Sequence, residues 1–148
     1  MSEKKPAFLP LIRELARCYQ AFEHRSLPHV RTLGLTGCQF DIVATLGNTE
    51  GMNFRELGEK TLITKGTLTG VVDRLEAKGL VVRTPDDRDG RSQIVRLTHS
   101  GEALFADVFP AHLAFLAGVF SRISDTDLLE MRQTLMRLRQ IFEPEQEQ

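Results

Sequence analysis

One segment of the chain, residues 53–97, constrains the fold more than any other because its hydrophobic period changes along its length. Apolar residues between positions 68 and 75 recur with the spacing of one helix face, and Thr64 stands where it can cap that helix. Beyond this helix the pattern changes to short β-branched runs at 81–84 and 93–97. The segment therefore predicts a helix followed by a β-hairpin.

Further helices are predicted on both sides of this segment. Residues 8–32 carry one apolar stripe, and Pro28 is expected to kink this helix or split it into two pieces. Thr36 and Gln39 have the spacing of a capping box, which opens a second helix. Two long helices complete the chain, and Pro110 is expected to bend the first of them.

A short helix is predicted directly before the one that begins near Thr64. Asn53 and Glu56 repeat the capping signature and mark its start. Two short helices joined by a tight turn and followed by a hairpin make a winged helix-turn-helix. We therefore expect a mainly α fold with a small β-hairpin, in which this module is flanked by N- and C-terminal helices.

Composition limits what the chain can do. It has 19 Lys and Arg against 20 Asp and Glu, a net charge of −1, so binding to nucleic acid would require a local basic face. The sequence has no glycine-rich phosphate loop, no serine nucleophile elbow and no metal-type spacing, so we expect no enzyme, no cofactor and no metal. Charged residues interrupt every apolar run well short of the roughly 20 residues of a membrane helix, which predicts a cytoplasmic protein without a membrane span.

The outward face of the helix after Thr64 differs from an ordinary solvated face, which is rich in Glu and Lys. Glycines in a helix each cost about 1 kcal/mol relative to alanine, and here two of them share one side. A nucleic-acid backbone can come close to such a face, where hydroxyls and basic groups donate to phosphates and base edges. An exposed helix of poor propensity is the alternative. The residues expected to contact DNA are Thr64, Lys65, Gly66, Thr67, Thr69, Gly70 and Arg74.

The polar stretch 85–92 is the expected loop of the hairpin. Its Arg88 and Arg91 suit the negative potential of a DNA minor groove, and we expect both to contact DNA. Three aspartates in the same stretch would repel phosphate. We expect at least one of them to pair with an arginine and hold the loop in shape.

Several short sequences together resemble the MarR family of bacterial transcriptional regulators. They are Leu57-Gly58-Glu59, Thr64-Lys65-Gly66-Thr67-Leu68-Thr69, Val72-Asp73-Arg74-Leu75-Glu76-Ala77-Lys78-Gly79-Leu80-Val81, Asp86-Asp87-Arg88-Asp89-Gly90-Arg91-Ser92 and Val95-Arg96-Leu97-Thr98. The resemblance covers almost the whole chain in element order, although Asp87 stands where the family commonly has proline. It implies a homodimer on a pseudo-palindromic operator in double-stranded DNA, with the Thr64 helix in the major groove and the hairpin in the adjacent minor groove.

The resemblance also implies roles for single residues and for parts of the chain. Arg91 matches the family's wing-tip arginine, Asp73 matches the acidic helix residue that orients it, and Asp89 is expected to help orient the wing. The expected organisation is a single domain over 1–148. Within it, the DNA-binding module occupies 36–98, and the dimerisation helices occupy 6–34 and 99–143.

The apolar stripes of the terminal helices independently favour a homodimer, because the small winged module cannot cover both of them. The alternative is that these helices pack on each other within one chain. The residues expected at the dimer interface are Phe8, Leu11, Leu15, Leu128, Met131, Leu135, Leu138 and Phe142.

The expected function is that of a repressor released from DNA by a small aromatic or phenolic effector, as the resemblance implies for many family members. The residues expected to line an effector pocket are Arg17, Tyr19, His24, Phe40 and His112. One alternative is a thiol-responsive regulator, although Cys18 and Cys38 are both expected to be buried, small apolar residues. The other alternative is a winged-helix module that binds a protein rather than DNA.

Overall fold

The computed structural model describes residues 4–143, which are mostly helical with one small antiparallel sheet, as predicted. The expected single domain over 1–148 therefore includes residues at both ends that lie outside the described part. The elements in chain order are α1 (Phe8–Thr32), α2 (Gly37–Leu46), β1 (Met52–Asn53), α3 (Phe54–Thr61), α4 (Lys65–Ala77), β2 (Val81–Asp86), β3 (Asp89–Leu97), α5 (His99–Val119) and α6 (Asp125–Phe142).

The helix starts follow from side-chain caps that could be predicted from the sequence. Thr36 Oγ1 accepts from the Gln39 N–H at 3.2 Å while the Gln39 side chain accepts from the Thr36 N–H at 3.1 Å, which completes the capping box of α2. Asn53 Oδ1 accepts from the Glu56 N–H at 2.8 Å and starts α3. Thr64 holds the cap position of α4, but its hydroxyl donates to Thr67 Oγ1 instead of accepting from the backbone.

Neither helix proline divides its helix. Pro28 lies inside α1, which runs unbroken from Phe8 to Thr32, so the expected split into two pieces is wrong. Pro28 is exposed, and water can therefore satisfy the His24 carbonyl that loses its helical donor there. Pro110 likewise lies inside the continuous α5.

The hairpin is longer and its turn tighter than the sequence indicates. Strands β2 and β3 pair from Val81 opposite Leu97 to Asp86 opposite Asp89, so only Asp87 and Arg88 remain in the turn, instead of the expected loop 85–92. Pro85 is tolerated because β2 is an edge strand in the order β1-β3-β2 and the register shifts beside it.

A third strand was not predicted. Strand β1 has two residues, Met52 and Asn53, which pair with Val95 and Ile94 of β3. So short a segment shows no alternation, and the β3 edge that it covers is recognisable only after the hairpin has formed.

The chain divides into two compact units inside α5, at Leu113 and Ala114. The hydrophobic core lies in the first unit, where buried side chains of α2, α3, α4, the sheet and the start of α5 pack together. Its largest fully buried members include Ile42, Leu46, Leu57, Leu68 and Leu75. In the second unit, no residue of α6 is buried among those described.

Helix α5 is more apolar than expected, since charged residues were expected to keep every apolar run well short of the length of a membrane helix. An 18-residue window within His99–Val119 has a mean hydropathy of 1.4, so by length and composition alone this helix is able to cross a membrane. Its first half is instead part of the core, with Phe105 and Val108 buried. Gly101 lies so close to the Leu80 carbonyl that a Cβ there would overlap the oxygen.

The close approach at Gly101 can be tested by adding a methyl group. We expect Gly101→Ala to lower the free energy of unfolding by about 2 kcal/mol, because the Leu80 backbone must shift to admit it. Urea denaturation measures this, with Gly118→Ala as the control because a Cβ at Gly118 meets nothing within 4 Å. Equal stability of the two variants would contradict the close packing of α5 on Leu80.

Candidate nucleic-acid interface

Helix α4 is fixed in the first unit by one apolar face. Leu68, Val71, Val72 and Leu75 are buried, and α4 contacts α2, α3 and β2. A short turn with Leu62 in the left-handed conformation separates α3 from α4, as the helix-turn-helix arrangement requires. The opposite side of α4 is therefore turned away from the core.

That opposite side is polar and sterically open. Most of its predicted DNA contacts are exposed, and Gly70 is half-buried. A Cβ added at Gly66 or Gly70 would meet nothing within 4 Å, so no packing contact inside the protein requires glycine at either position. The two glycines leave a shallow strip, which Lys65, Thr67, Thr69 and Arg74 border on the same helix.

The tip of the β2–β3 hairpin presents two exposed arginines, Arg88 and Arg91. Asp86 is buried, accepts from the Arg88 N–H at 3.0 Å, and has an oxygen 3.7 Å from Arg88 Nε. Asp89 Oδ1 accepts from the Arg91 N–H at 3.1 Å. An aspartate–arginine pair in the loop was expected, and Asp86 with Arg88 is that pair. Both aspartates hold the turn through its backbone.

Asp73 forms an ion pair with Arg83. The family resemblance had implied that it would orient Arg91 instead. Arg83 lies on β2 and also donates to both carboxylate oxygens of Glu76, at 3.3 and 3.1 Å. Hydrogen bonding from Arg83 lowers the pKa of Glu76, and bonding to Glu76 and then Asp73 raises the pKa of Arg83. This fork ties the hairpin to α4. The sequence carried one signal for it, two acids three residues apart on one helix.

The residues expected to form an effector pocket do not all come together. Phe40 and His112 are buried and meet edge to face with ring centroids 4.8 Å apart. Arg17, Tyr19 and His24 are exposed on α1, outside this buried cluster. A hydrogen bond with Glu23 is the main cause that raises the pKa of Tyr19.

Two members of the buried cluster were missed by the sequence analysis. Ser26 Oγ lies 3.1 Å from His112 Nε2, and His29 Nδ1 lies 2.9 Å from His112 Nδ1. Their separation from His112 along the chain is more than 80 residues, so no local pattern could have indicated the contact.

A cavity of about 500 Å³ lies elsewhere, between α3 and the start of α4. Phe54, Ile63 and Leu68 line its apolar part, and Lys65 lies at its wall. None of the five residues expected to bind an effector contributes to this lining.

The terminal helices carry apolar side chains that are exposed to solvent in the single chain. On α1, Phe8, Leu11 and Leu15 are exposed, and on α6 the exposed residues include Met131, Leu135 and Phe142. Leu128 and Leu138 are half-buried.

The Arg83 fork yields a test of how the hairpin is held. In Arg83→Met we expect faster amide hydrogen exchange throughout β2 and β3, because the hairpin loses its ionic attachment to α4. Arg96→Met on β3 is the matched control, since Arg96 is exposed. Unchanged exchange in the Arg83 variant would show that the fork does not hold the hairpin.

Comparison with known proteins agrees with this geometry. A family model described as "MarR family" matches residues 33–92. The transcriptional regulator MhqR of Bacillus subtilis is 29% identical over 138 residues, which cover 93% of each chain.

Two solved structures show the same fold. AbsC, a MarR family transcriptional regulator from Streptomyces coelicolor, has a TM-score of 0.82 at 23% identity, with 96% of this chain and 98% of that chain covered. NadR in complex with 4-hydroxyphenylacetate has a TM-score of 0.74 at 24% identity, with 93% and 96% covered. The chain is therefore similar in sequence, over residues 33–92, to the MarR family of transcriptional regulators, and it shares the winged helix-turn-helix fold of these solved structures.

Proposed function

We propose that this protein is a homodimeric cytoplasmic repressor that occupies a pseudo-palindromic operator in double-stranded DNA and is released by a small aromatic effector. The observation that carries the proposal is the outward face of α4, which combines open glycines with exposed hydroxyl and basic side chains. In this proposal residues 36–98 bind DNA, and the helical regions 6–34 and 99–143 form the dimer.

Helix α4 enters the major groove in this mechanism. Gly66 and Gly70 let the helix backbone approach the duplex, and the threonine methyl groups of Thr67 and Thr69 can contact thymine methyl groups. Thr64 and Lys65 at the start of α4 and Arg74 in its last turn are exposed, and they donate to phosphates or base edges. Sequence preference comes from the side chains that reach base edges, and position along the duplex from those that bind phosphate.

The hairpin reaches the neighbouring minor groove. Arg88 and Arg91 are the exposed cations at its tip, where a narrow groove concentrates negative potential. Asp86 and Asp89 bond to the backbone of these arginines and thereby present both side chains outward. Because Asp73 is bound to Arg83, the orientation of Arg91 is set by its own turn rather than by α4.

A second copy of the chain covers the apolar side chains of the terminal helices. The exposed aromatic and aliphatic residues of α1 and α6 recur on successive turns, which is the pattern of an unpartnered interface. Two-fold symmetry then places the two α4 helices on half-sites about 10 base pairs apart.

Repression follows from occupancy of a promoter, and release from a ligand that favours the unbound form. The NadR complex shows that one protein of this fold binds 4-hydroxyphenylacetate. By analogy we propose an aromatic acid as effector here, with Phe40 and His112 as the buried side chains nearest to it and with Arg17, Tyr19 and His24 at the surface of α1.

The structure supports the two alternatives, a protein-binding module and a thiol-responsive regulator, to different extents. A protein-binding face on α4 would expose large apolar residues, whereas the outward residues here are Gly, Thr, Lys, Asp and Arg.

One observation supports the alternative of a thiol-responsive regulator. Cys18 is exposed on α1, so the expectation that it is buried is wrong. Cys38 is half-buried. Loss of DNA binding with peroxide, absent in Cys18→Ser, would favour the thiol response over the aromatic effector.

The role of the wing is tested with an operator selected from random duplexes. We expect Arg91→Ala to weaken operator binding about tenfold in a fluorescence anisotropy titration, through the loss of a charged groove contact. Lys78→Ala is the matched control, because Lys78 is exposed at the opposite end of α4. Wild-type affinity should also fall steeply with salt as counterions are released. Equal affinities of both variants, or a flat salt dependence, would contradict the groove-binding mechanism.

The dimer is tested on α6. We expect Met131→Lys with Leu135→Lys to sediment with the mass of one chain, because both exposed apolar side chains then carry charge. The wild type is expected to sediment with twice that mass. Gln133→Lys is the control, since position 133 lies on the other side of the same helix. A wild type that sediments as a single chain at micromolar concentration would refute the homodimer.

A further inference from the structure

A half-buried histidine of α1, His29, meets a buried histidine of α5, His112. The Nδ1 atoms of His29 and His112 lie 2.9 Å apart, and their rings stack with centroids 5.2 Å apart. His112 is only 4% exposed, and its other nitrogen lies 3.1 Å from Ser26 Oγ. Phe40 of α2 packs against the His112 ring. The contact therefore joins α1, α2 and α5 within the unit that carries the DNA-binding face.

We propose that His29 and His112 form a proton-sensitive latch between α1 and α5, which is closed at neutral pH and opens when both rings are protonated, so that operator binding weakens. The effect on operator binding rests on the proposed function. The latch itself does not, because it depends only on the contacts inside this chain.

Hydrogen-bond accounting shows why the second proton is decisive. With both rings neutral, one Nδ1 donates and the other accepts. One additional proton preserves this bond, since one ring still donates and the other still accepts. With two additional protons both Nδ1 atoms carry hydrogen, so the bond is lost and two positive charges face each other.

The surroundings of the latch oppose that doubly charged state. Burial, and next the charge of His29, lower the pKa of His112. The other titratable side chains within about two helical turns of the pair along α1 and α5, together with those of α2, are Glu23, His24, Arg25, Arg31, Asp107, Cys38 and Asp41. Arg25 and Arg31 add positive charge, and Glu23 is engaged by Tyr19. The Asp107 residue is exposed and its charge is screened by solvent, whereas burial raises the pKa of Asp41.

The direction of the pH effect follows from this lowered pKa. The unfolded chain binds a proton at His112 near the ordinary histidine pKa of about 6.5, whereas the folded chain resists it. The stabilisation by the latch is therefore fully present above about pH 6.5 and is lost as the pH falls through the lower folded value.

Helix α5 connects the latch to the DNA-binding face. It begins directly after β3, and Thr98 at this junction donates from its hydroxyl to the Gly79 carbonyl at 2.6 Å, just beyond the end of α4. The Thr98 N–H also donates to the Leu80 carbonyl, against which Gly101 of α5 packs. A displacement of α5 therefore changes the position of α4 and of the hairpin together.

The latch is tested first without DNA. The chain has four histidines, so ¹⁵N imidazole spectra of the full-length protein can follow each ring as the pH changes. We expect the His112 signal to titrate below the ordinary histidine pKa, because burial and the charge of the adjacent His29 oppose its protonation. Urea unfolding should show stability falling with pH below 6.5 in the wild type and in the control His99→Gln, but less in His29→Gln. Independent titration of both rings near pH 6.5 would overturn the latch, and this wild-type experiment does not depend on any variant folding.

The coupling to DNA is tested on a duplex selected from a random pool at pH 7.5. We expect wild-type affinity to fall about tenfold between pH 7.5 and 5.5, although a lower pH makes the protein more positive. His29→Gln, which can still hydrogen bond but does not titrate, should change less than twofold, while His99→Gln, at an exposed position at the start of α5, should follow the wild type. The same pH dependence in His29→Gln as in the wild type would overturn the coupling. Failure to select any duplex would refute the proposed function. In that case the ¹⁵N imidazole spectra would still test whether the latch exists.

Discussion

The function of this chain depends on the burial of one face of α4. Leu68, Val71, Val72 and Leu75 are each at most 4% exposed, and burial of such a side chain is worth roughly 1.5–3 kcal/mol. Rotation of α4 by half a turn would expose all four and would place Gly66, Gly70 and the charged Asp73 against the core, which is far more costly than any surface contact could offset. The core thus determines which residues of α4 are offered to a partner, and these are the small, polar and basic ones.

Electrostatic contacts then attach the hairpin to that helix. Arg83 is shared between Asp73 and Glu76, so one positive charge of the protein itself offsets part of the negative charge of two carboxylates that would otherwise repel DNA. The exposed cations near the site include Lys65, Arg74, Arg88 and Arg91, of which Arg88 is shared with Asp86. A chain with a net charge of −1 can therefore present a locally basic surface.

Sequence reasoning succeeded where the signal is local. The caps at Thr36 and Asn53 and the helix–hairpin order follow from residues within a few positions of each other, and the structure confirms them. The Arg83 fork was missed because the partner of Asp73 depends on the position of β2 beside α4, which needs the folded chain. The contact of His29 with the buried His112 is an extreme case, since the two residues are 83 positions apart.

The claim that the open glycines of α4 serve close approach to DNA can be tested most directly by adding one methyl group at each. The measurement is operator affinity together with the free energy of unfolding for Gly66→Ala and Gly70→Ala, with Gly118→Ala for comparison. Because alanine favours a helix by up to about 1 kcal/mol, both α4 variants should be at least as stable as the wild type and yet bind the operator at least tenfold more weakly. Stable variants with unchanged affinity would contradict the account.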